Sequence, residues 1–223
     1  MKINNNKVLI IIAHPDDEIL WMWWTIQKLI FNWKEVNILL LSKPWNARNN
    51  NEWNERINNF KEVSKKLWIN DIFYKDFPDT SFDSVRLLDI IQSIENIIDI
   101  IKPEIIYTHY YNDLNIDHCI VSKAVITILR PIRKFNFIKN IFLFEVLSST
   151  ELWIWLERFN PNVYENIENF IDSKKELLSI YKTEYQVSPY PRSLESIEIL
   201  ARYRWIESWL KYAEAFMLYR SIN

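Results

Sequence analysis

The complete absence of glycine is the feature that most limits the folds open to this chain. Its 223 residues include no glycine and 11 tryptophans, whereas average usage of about 7% would give about 16 glycines. Globular folds use glycine where the backbone needs a positive φ or a close approach to another segment. Either other residues occupy these backbone positions, or the written sequence differs from the sequence of the native protein.

Several tryptophans stand where glycine is expected. Trp33 and Trp68 each follow a predicted helix and precede a predicted strand, which is the helix C′ position that favours glycine. Trp45 lies in a Pro-Trp-Asn-Ala loop, a natural turn context. We interpret most or all of the tryptophans as glycines whose UGA codons were translated under the wrong genetic code, since some bacterial lineages read UGA as glycine. The alternative is a chain that is truly rich in tryptophan.

Charge and cysteine content exclude several classes of protein. The 27 basic and 29 acidic residues give a net charge of -2, so no overall basic field favours binding to nucleic acid or anionic lipid. A single cysteine, Cys119, excludes an intrachain disulfide and fits a reducing compartment. The apolar run Val8 to Ala13 is too short to span a membrane. We expect a cytoplasmic protein with one domain over residues 1–223 and no integral membrane segment; a homo-oligomer remains open.

Strand-like and helical segments alternate along the first two thirds of the chain. The predicted strands are 8–13, 36–42, 71–74, 105–108 and 141–146, and the predicted helices between them are 19–32, 52–67, 84–102 and 117–129. This order predicts an α/β fold with a Rossmann-like, largely parallel sheet and helices on both faces. A C-terminal helical extension is predicted over 165–185 and 194–210, followed by a closing strand at 213–219.

The segment Ala13-His14-Pro15-Asp16-Asp17-Glu18 carries the strongest chemical pattern. It ends the first predicted strand and opens the first helix, at the sheet edge where ligands of open α/β folds bind. His14 and Asp17 are three residues apart, so a first helical turn brings both to one side, as two ligands of one metal require. Asp16 between them is then free to act as a base. The alternative is an acidic N-cap cluster.

The remaining histidines lie in a second segment near the end of the fourth predicted strand. Tyr107-Thr108-His109 ends that strand, and Asp113-Leu114-Asn115-Ile116-Asp117-His118 follows. All three histidines of the chain therefore fall at one sheet edge. Imidazole and carboxylate ligands with an open position are typical of catalytic zinc, and non-haem iron uses them too.

These segments resemble the LmbE-like, or PIG-L, family of zinc-dependent de-N-acetylases. The resemblance extends to the tail, from Pro191-Arg192-Ser193 to Tyr212-Ala213-Glu214-Ala215-Phe216, and so spans nearly the whole chain. The family typically follows the first block with Gly-x-Gly-Gly where this chain has Trp21-Met22-Trp23-Trp24. That difference fits the interpretation of the tryptophans as glycines.

The resemblance implies a reaction and a ligand set. His14, Asp17 and His118 would hold zinc, with Fe(II) as the other metal considered, and Asp16 would be the general base. A metal-bound water would attack the acetamide of an N-acetylglucosamine-type conjugate, a small-molecule partner, and release acetate and an amine. Two alternatives remain: a metal-dependent hydrolase of another amide or ester, and a non-catalytic sugar-binding protein of the same fold.

Four further residues are candidates for substrate binding or for supporting the ligands. Several family members carry a histidine where this chain has Asn115, so the group that protonates the leaving amine is either Asp16 or His109. Asp117 either orients a ligand or caps the following helix. Arg56 matches a family arginine that contacts substrate hydroxyls, and its alternative role is in a solvated helix face.

Overall fold

The computed structural model describes residues 6–43, 50–130, 133–152, 157–170, 176, 177, 180, 181, 184 and 186–222. Its centre is a seven-stranded sheet in the order β3-β2-β1-β4-β5-β7-β6. The strands are β1 (Lys7–Ile12), β2 (Glu35–Lys43), β3 (Asp71–Pro78), β4 (Ile105–His109), β5 (Asn140–Phe144), β6 (Val163–Asn166) and β7 (Ala213–Ser221). Strands β1 to β5 run parallel to one another, and β7 is antiparallel to both β5 and β6. The predicted fold class is confirmed.

The central strand β1 is buried on both faces, because helices cover both sides of the sheet. Ile10 pairs with Ile38 of β2 on one side and with Tyr107 of β4 on the other. Side chains alternate across a strand, so Ile10 packs into one core and Leu9 and Ile11 into the other. Near-continuous apolar strands of this kind are typical of a doubly covered parallel sheet.

The helices divide between the two faces. They are α1 (Asp17–Phe31), α2 (Asn50–Lys66), α3 (Leu87–Ile101), α4 (Ile116–Ile128) and α5 (Leu194–Ser208). Apolar side chains of α1, α2 and α5 join the core that contains Ile10, and those of α3 and α4 join the opposite core. Among the described residues, none of the helices has the length and apolar character needed to span a bilayer.

The C-terminal extension differs from the prediction at its start. The expected helix over 165–185 is wrong there, because residues 165 and 166 belong to β6 and Glu168–Phe170 form a 3₁₀ helix. Of the rest of that predicted helix, residues 171–175, 178, 179, 182, 183 and 185 lie outside the described residues. The backbone hydrogen bonds of β6 to β7 determine this structure, and a pairing with a strand some fifty residues away is not visible in local helical periodicity. The second predicted helix and the closing strand are present as α5 and β7.

Helices α1, α2 and α5 end in the left-handed geometry that favours glycine, each with a tryptophan at the critical position: Trp33, Trp68 and Trp209. Trp33 and Trp68 both adopt φ 60°. After α1, the amide of Trp33 donates to Ile30 O (2.9 Å) and that of Lys34 to Leu29 O (3.0 Å); Trp68 and the residue after it make the equivalent pair of bonds after α2. These are Schellman motifs, whose C′ residue is usually glycine. The predicted C′ positions are confirmed, while Trp45 lies outside the described residues.

Helix α1 is interrupted at Met22, and a distant carboxylate caps the second half. Met22 has a non-helical φ of -137°, which leaves the following amides without helical partners. Glu214 of β7 accepts hydrogen bonds from the amides of Trp24 (3.2 Å) and Thr25 (2.9 Å) and from the Thr25 hydroxyl (2.8 Å). The first helix is therefore held to the last strand at its break.

Candidate metal centre

The site lies where the strand order reverses, between β1 and β4. Loops that leave the carboxyl ends of these two strands diverge to opposite faces of the sheet, which opens a crevice at this edge. His14 and Asp16 follow β1, Asp17 begins α1, and His118 lies in the first turn of α4 after β4. Sheet topology therefore brings together two segments that are about one hundred residues apart.

Three side chains converge as candidate metal ligands. His14 Nδ1 lies 3.3 Å from His118 Nε2 and 3.6 Å from Asp17 Oδ2, and His118 Nε2 lies 3.5 Å from Asp17 Oδ1. Ligand atoms arranged tetrahedrally about 2.1 Å from a zinc ion are separated by about 3.4 Å. All three residues are buried, so the donor set and its spacing fit one divalent metal.

Two carboxylates surround the other nitrogen of His14. Its Nε2 lies 3.1 Å from Asp117 Oδ2 and 3.3 Å from Asp79 Oδ1, and the second oxygen of Asp117 accepts the Phe82 amide hydrogen at 3.0 Å. A carboxylate on the far nitrogen of a ligating histidine sets its tautomer and ring orientation. The structure therefore places Asp117 against a candidate ligand and not at the helix N-cap, which is Asn115. Sequence reasoning missed Asp79, which lies past the predicted end of its strand.

His118 has a carboxylate of its own. Its Nδ1 lies 3.3 Å from Asp113 Oδ1, so an aspartate lies beside the far nitrogen of each candidate histidine ligand. Asp113 lies in the same segment as His118, and sequence reasoning missed its contact with this histidine. Its spacing of five residues before His118 is the pattern that could have identified it.

His109 is close to the ligands but differs from them in its bonding. Its Nε2 accepts the Ala13 amide hydrogen at 3.0 Å, and its ring stacks on that of His118 with centroids 4.0 Å apart. Burial, with the adjacent charge of His118, lowers the pKa of His109 to about 4. A fully buried, neutral imidazole whose Nε2 lone pair is occupied is poorly suited to protonate a leaving amine.

Asp16 is held by two arginines in a strained backbone conformation. Its φ is 123°, a region that costs a residue with a Cβ about 1–3 kcal/mol and persists where surrounding contacts enforce it. Arg56 Nη2 donates to Asp16 Oδ1 (3.0 Å), and Arg192 Nη1 donates to Oδ2 (3.1 Å). Arg56 is therefore not a solvated residue of a charged helix. Asp16 occupies the N-cap position of α1, with Asp17 and Glu18 in the first turn, but its side chain makes no capping bond.

The electrostatics of the centre favour a bound cation. Burial opposes protonation of His14, but its hydrogen bonds to Asp117 and Asp17 prevail and raise its pKa to about 10. Burial raises the pKa of Asp16 to about 6, against the charges of Arg56 and Arg192. The buried carboxylates thus carry more negative charge than the neighbouring cationic groups neutralise. A divalent metal would supply the missing positive charge.

Comparison with protein families settles the relationship that the motifs suggest. Residues 9–129 match the PIG-L family, described as GlcNAc-PI de-N-acetylase, which is more than half of the 223 residues. The chain belongs to this family. The matched range of this PIG-L protein contains the three candidate ligands, Asp16 and Arg56, whereas Arg192 lies beyond it. No curated protein matches the chain.

Solved structures share the fold across nearly the whole chain. A conserved protein from Thermus thermophilus has a TM-score of 0.78 at 20% identity, covering 97% of this chain and 96% of its own. The N,N'-diacetylchitobiose deacetylase of Pyrococcus horikoshii has 0.78 at 16%, covering 96% and 84%. The 4-carboxy-2-hydroxymuconate hydratase GalB of Pseudomonas putida has 0.70 at 14%, covering 97% of each. Because one neighbour is a deacetylase and another a hydratase, the fold alone does not choose the reaction.

Proposed function

We propose that this PIG-L protein is a metal-dependent N-deacetylase that removes the acetyl group from an N-acetylglucosamine-type conjugate. The observations that support the proposal are the convergence of His14, Asp17 and His118 as candidate metal ligands within the matched family range, and the position of Asp16 between two of them in the sequence. A base next to a hydrolytic metal site is what attack by water on an amide requires. A sugar-binding protein without turnover would have no need of this arrangement.

Each residue of the centre has a defined task in the proposed reaction. A divalent metal, when bound, supplies Lewis acidity for the attack of water on the amide carbonyl. Asp16 removes a proton from the attacking water and then delivers it to the nitrogen as the C–N bond breaks, so that acetate and a free amine result. The pKa of about 6 that burial gives Asp16 suits both directions of proton transfer near neutral pH.

Arg56 and Arg192 keep both oxygens of Asp16 in place for this role. Asn115 uses its side-chain oxygen to cap α4 by accepting the Asp117 amide hydrogen (3.0 Å). Its NH₂ group is the part that can donate a hydrogen bond to an oxyanion. The geometry of His109 favours Asp16 over His109 as the acid that protonates the amine.

Zinc is the proposed metal, because two imidazoles and one carboxylate with nearly tetrahedral spacing are typical of catalytic zinc. Fe(II) accepts the same donor types. Deacetylase activity is therefore measured with each metal added separately to the metal-free protein. We expect activity with either to be lost on adding a chelator.

The test is amine release from N-acetylglucosamine, N,N'-diacetylchitobiose and GlcNAc-PI. We expect chelator-sensitive release that is lost in Asp16→Asn, a substitution that keeps the side-chain volume but removes the base. Asp83→Asn is the matched control, since Asp83 is exposed and its variant should retain full activity. Folded, metal-loaded protein that releases no amine from any of the three would contradict the deacetylase proposal and favour another amide or ester.

A further inference from the structure

A short loop after β5 carries three consecutive hydroxyl side chains toward the metal centre. The hydroxyl loop is defined here as Val146–Thr150, and its last three residues are Ser148, Ser149 and Thr150. Ser149 and Thr150 are buried, and Ser148 has a φ of 72°. Buried hydroxyls need hydrogen-bond partners, and those of this loop lead to two different parts of the centre.

One end of the hydroxyl loop supports a candidate metal ligand. Thr150 Oγ1 donates to Asp113 Oδ2 at 2.5 Å, and Ser149 Oγ lies 3.2 Å from the same oxygen and 2.9 Å from Val146 O. The other oxygen of Asp113 faces His118 Nδ1 at 3.3 Å. The Thr150 hydroxyl therefore holds one oxygen of the carboxylate that faces His118, while the backbone amide of Asn115 donates to the other at 2.8 Å.

The middle of the hydroxyl loop supports the general base. Ser148 Oγ accepts a hydrogen bond from Arg192 Nε at 2.9 Å, and Arg192 Nη1 donates to Asp16 Oδ2 at 3.1 Å. Arg192 belongs to the turn before α5, so Ser148 is the contact that ties this turn to the β5 edge of the site. The planar guanidinium transmits the position of Ser148 to Asp16 because its donors have fixed relative directions.

We propose that the hydroxyl loop is a positioning element that sets the metal ligand His118 and the base Asp16 through two separate chains of contacts. The chain through Thr150 and Asp113 governs metal affinity, and the chain through Ser148 and Arg192 governs turnover. The proposal rests on the assigned roles of His118 and Asp16 in the deacetylase. It assigns functional positioning roles to residues that touch neither metal nor substrate.

Zinc binding tests the first chain without any substrate. Competition with a chromogenic chelator measures the zinc affinity of the folded protein, and we expect Thr150→Val to lower it about tenfold, at the low end of the effect of losing an outer partner. Thr150→Ser keeps the hydroxyl and should restore the affinity, which a purely structural role for the methyl group would not predict. Thr127→Val, the same change in α4, is the control and should bind zinc normally.

Turnover at saturating zinc tests the second chain. We expect Ser148→Ala to keep the wild-type zinc affinity and KM but to lower kcat about tenfold, because the base is less well aligned. Wild-type zinc affinity in Thr150→Val, or an equal loss of zinc affinity in Ser148→Ala and Thr150→Val, would overturn the proposal of two chains. Unchanged kcat in Ser148→Ala would overturn the proposed role of the second chain, through Ser148 and Arg192. The zinc measurement stands even if no conjugate is hydrolysed, so its outcome is distinct from failure of the proposed function.

Discussion

Glycine at the C′ positions of α1 and α2 should stabilise the fold. Trp33 and Trp68 hold φ 60°, where a residue with a Cβ costs about 1–2 kcal/mol relative to glycine. Their side chains are 87% and 81% exposed, so replacing them sacrifices little buried indole surface. Alanine removes the same indole but keeps the Cβ. We therefore expect Trp33→Gly and Trp68→Gly each to be about 1 kcal/mol more stable than the corresponding alanine variant.

Urea unfolding of the metal-free protein, followed by circular dichroism, measures this difference as a shift in midpoint at constant slope. Trp205 provides a control of opposite sign because it lies inside α5. There glycine should be about 1 kcal/mol less stable than alanine. If the alanine variants at positions 33 and 68 equal or exceed the glycine variants, the argument from left-handed backbone geometry is refuted.

Further predictions concern the encoded residues, the acid, the helix break and pH. The intact mass of the native protein should be lower than that of the written chain by one tryptophan-to-glycine difference per recoded position, and a mass that matches the written chain would refute recoding. His109→Gln should leave kcat unchanged in the amine-release assay, because the His109 ring is buried and neutral; a large loss would restore it as a candidate acid. Glu214→Gln should lower the free energy of unfolding by about 1–3 kcal/mol, as weakened charge-assisted bonds to the amides in α1 predict, and an unchanged urea midpoint would contradict this. Burial raises the pKa of Glu18 from 4.5 to about 8, so the stability gained from its neutral form is present below pH 4.5 and lost as pH rises through 8. In urea unfolding with chelator between pH 5 and 8.5, Glu18→Gln should reduce the fall of the midpoint with rising pH. If the midpoint of Glu18→Gln falls as steeply as that of the wild type, other groups cause the loss of stability.

The parallel part of the sheet was predictable because its determinants are local. Each of the strands β1 to β4 contains a short apolar run and is followed by a helix-period segment, and the predicted bounds of β1 and β4 differ from the structure by one residue. The Schellman positions were predictable for the same reason, since helix ends depend on a few neighbouring residues. The segment that became β6 lacks such a local determinant. Its strand exists because β7 offers hydrogen-bonding partners.

The same distinction separates the predicted site residues from the missed ones. His14, Asp16 and Asp17 lie in one contiguous motif, so their chemistry was visible in the chain. Asp79 could not be placed against His14 without the strand order, which brings the ends of β1 and β3 to one edge of the sheet. The polar sequence of α2 suggests that Arg56 is exposed to solvent, but its side chain reaches the buried carboxylate of Asp16. Helical periodicity alone could not predict this contact.

The burial of so many carboxylates has a thermodynamic consequence for the metal. Removing an ionised carboxylate from water is costly unless a positive charge or hydrogen bonds compensate it. Arg56 and Arg192 compensate Asp16, whereas the remaining carboxylates of the centre face imidazoles: Asp17, Asp79, Asp113 and Asp117. Imidazoles compensate charge only by binding protons, as the raised pKa of His14 shows. A divalent cation bound at this centre would replace those protons, which would link metal binding to proton release. The affinity of the centre for a divalent metal should therefore increase as pH rises through the range in which His14 and His118 lose their protons.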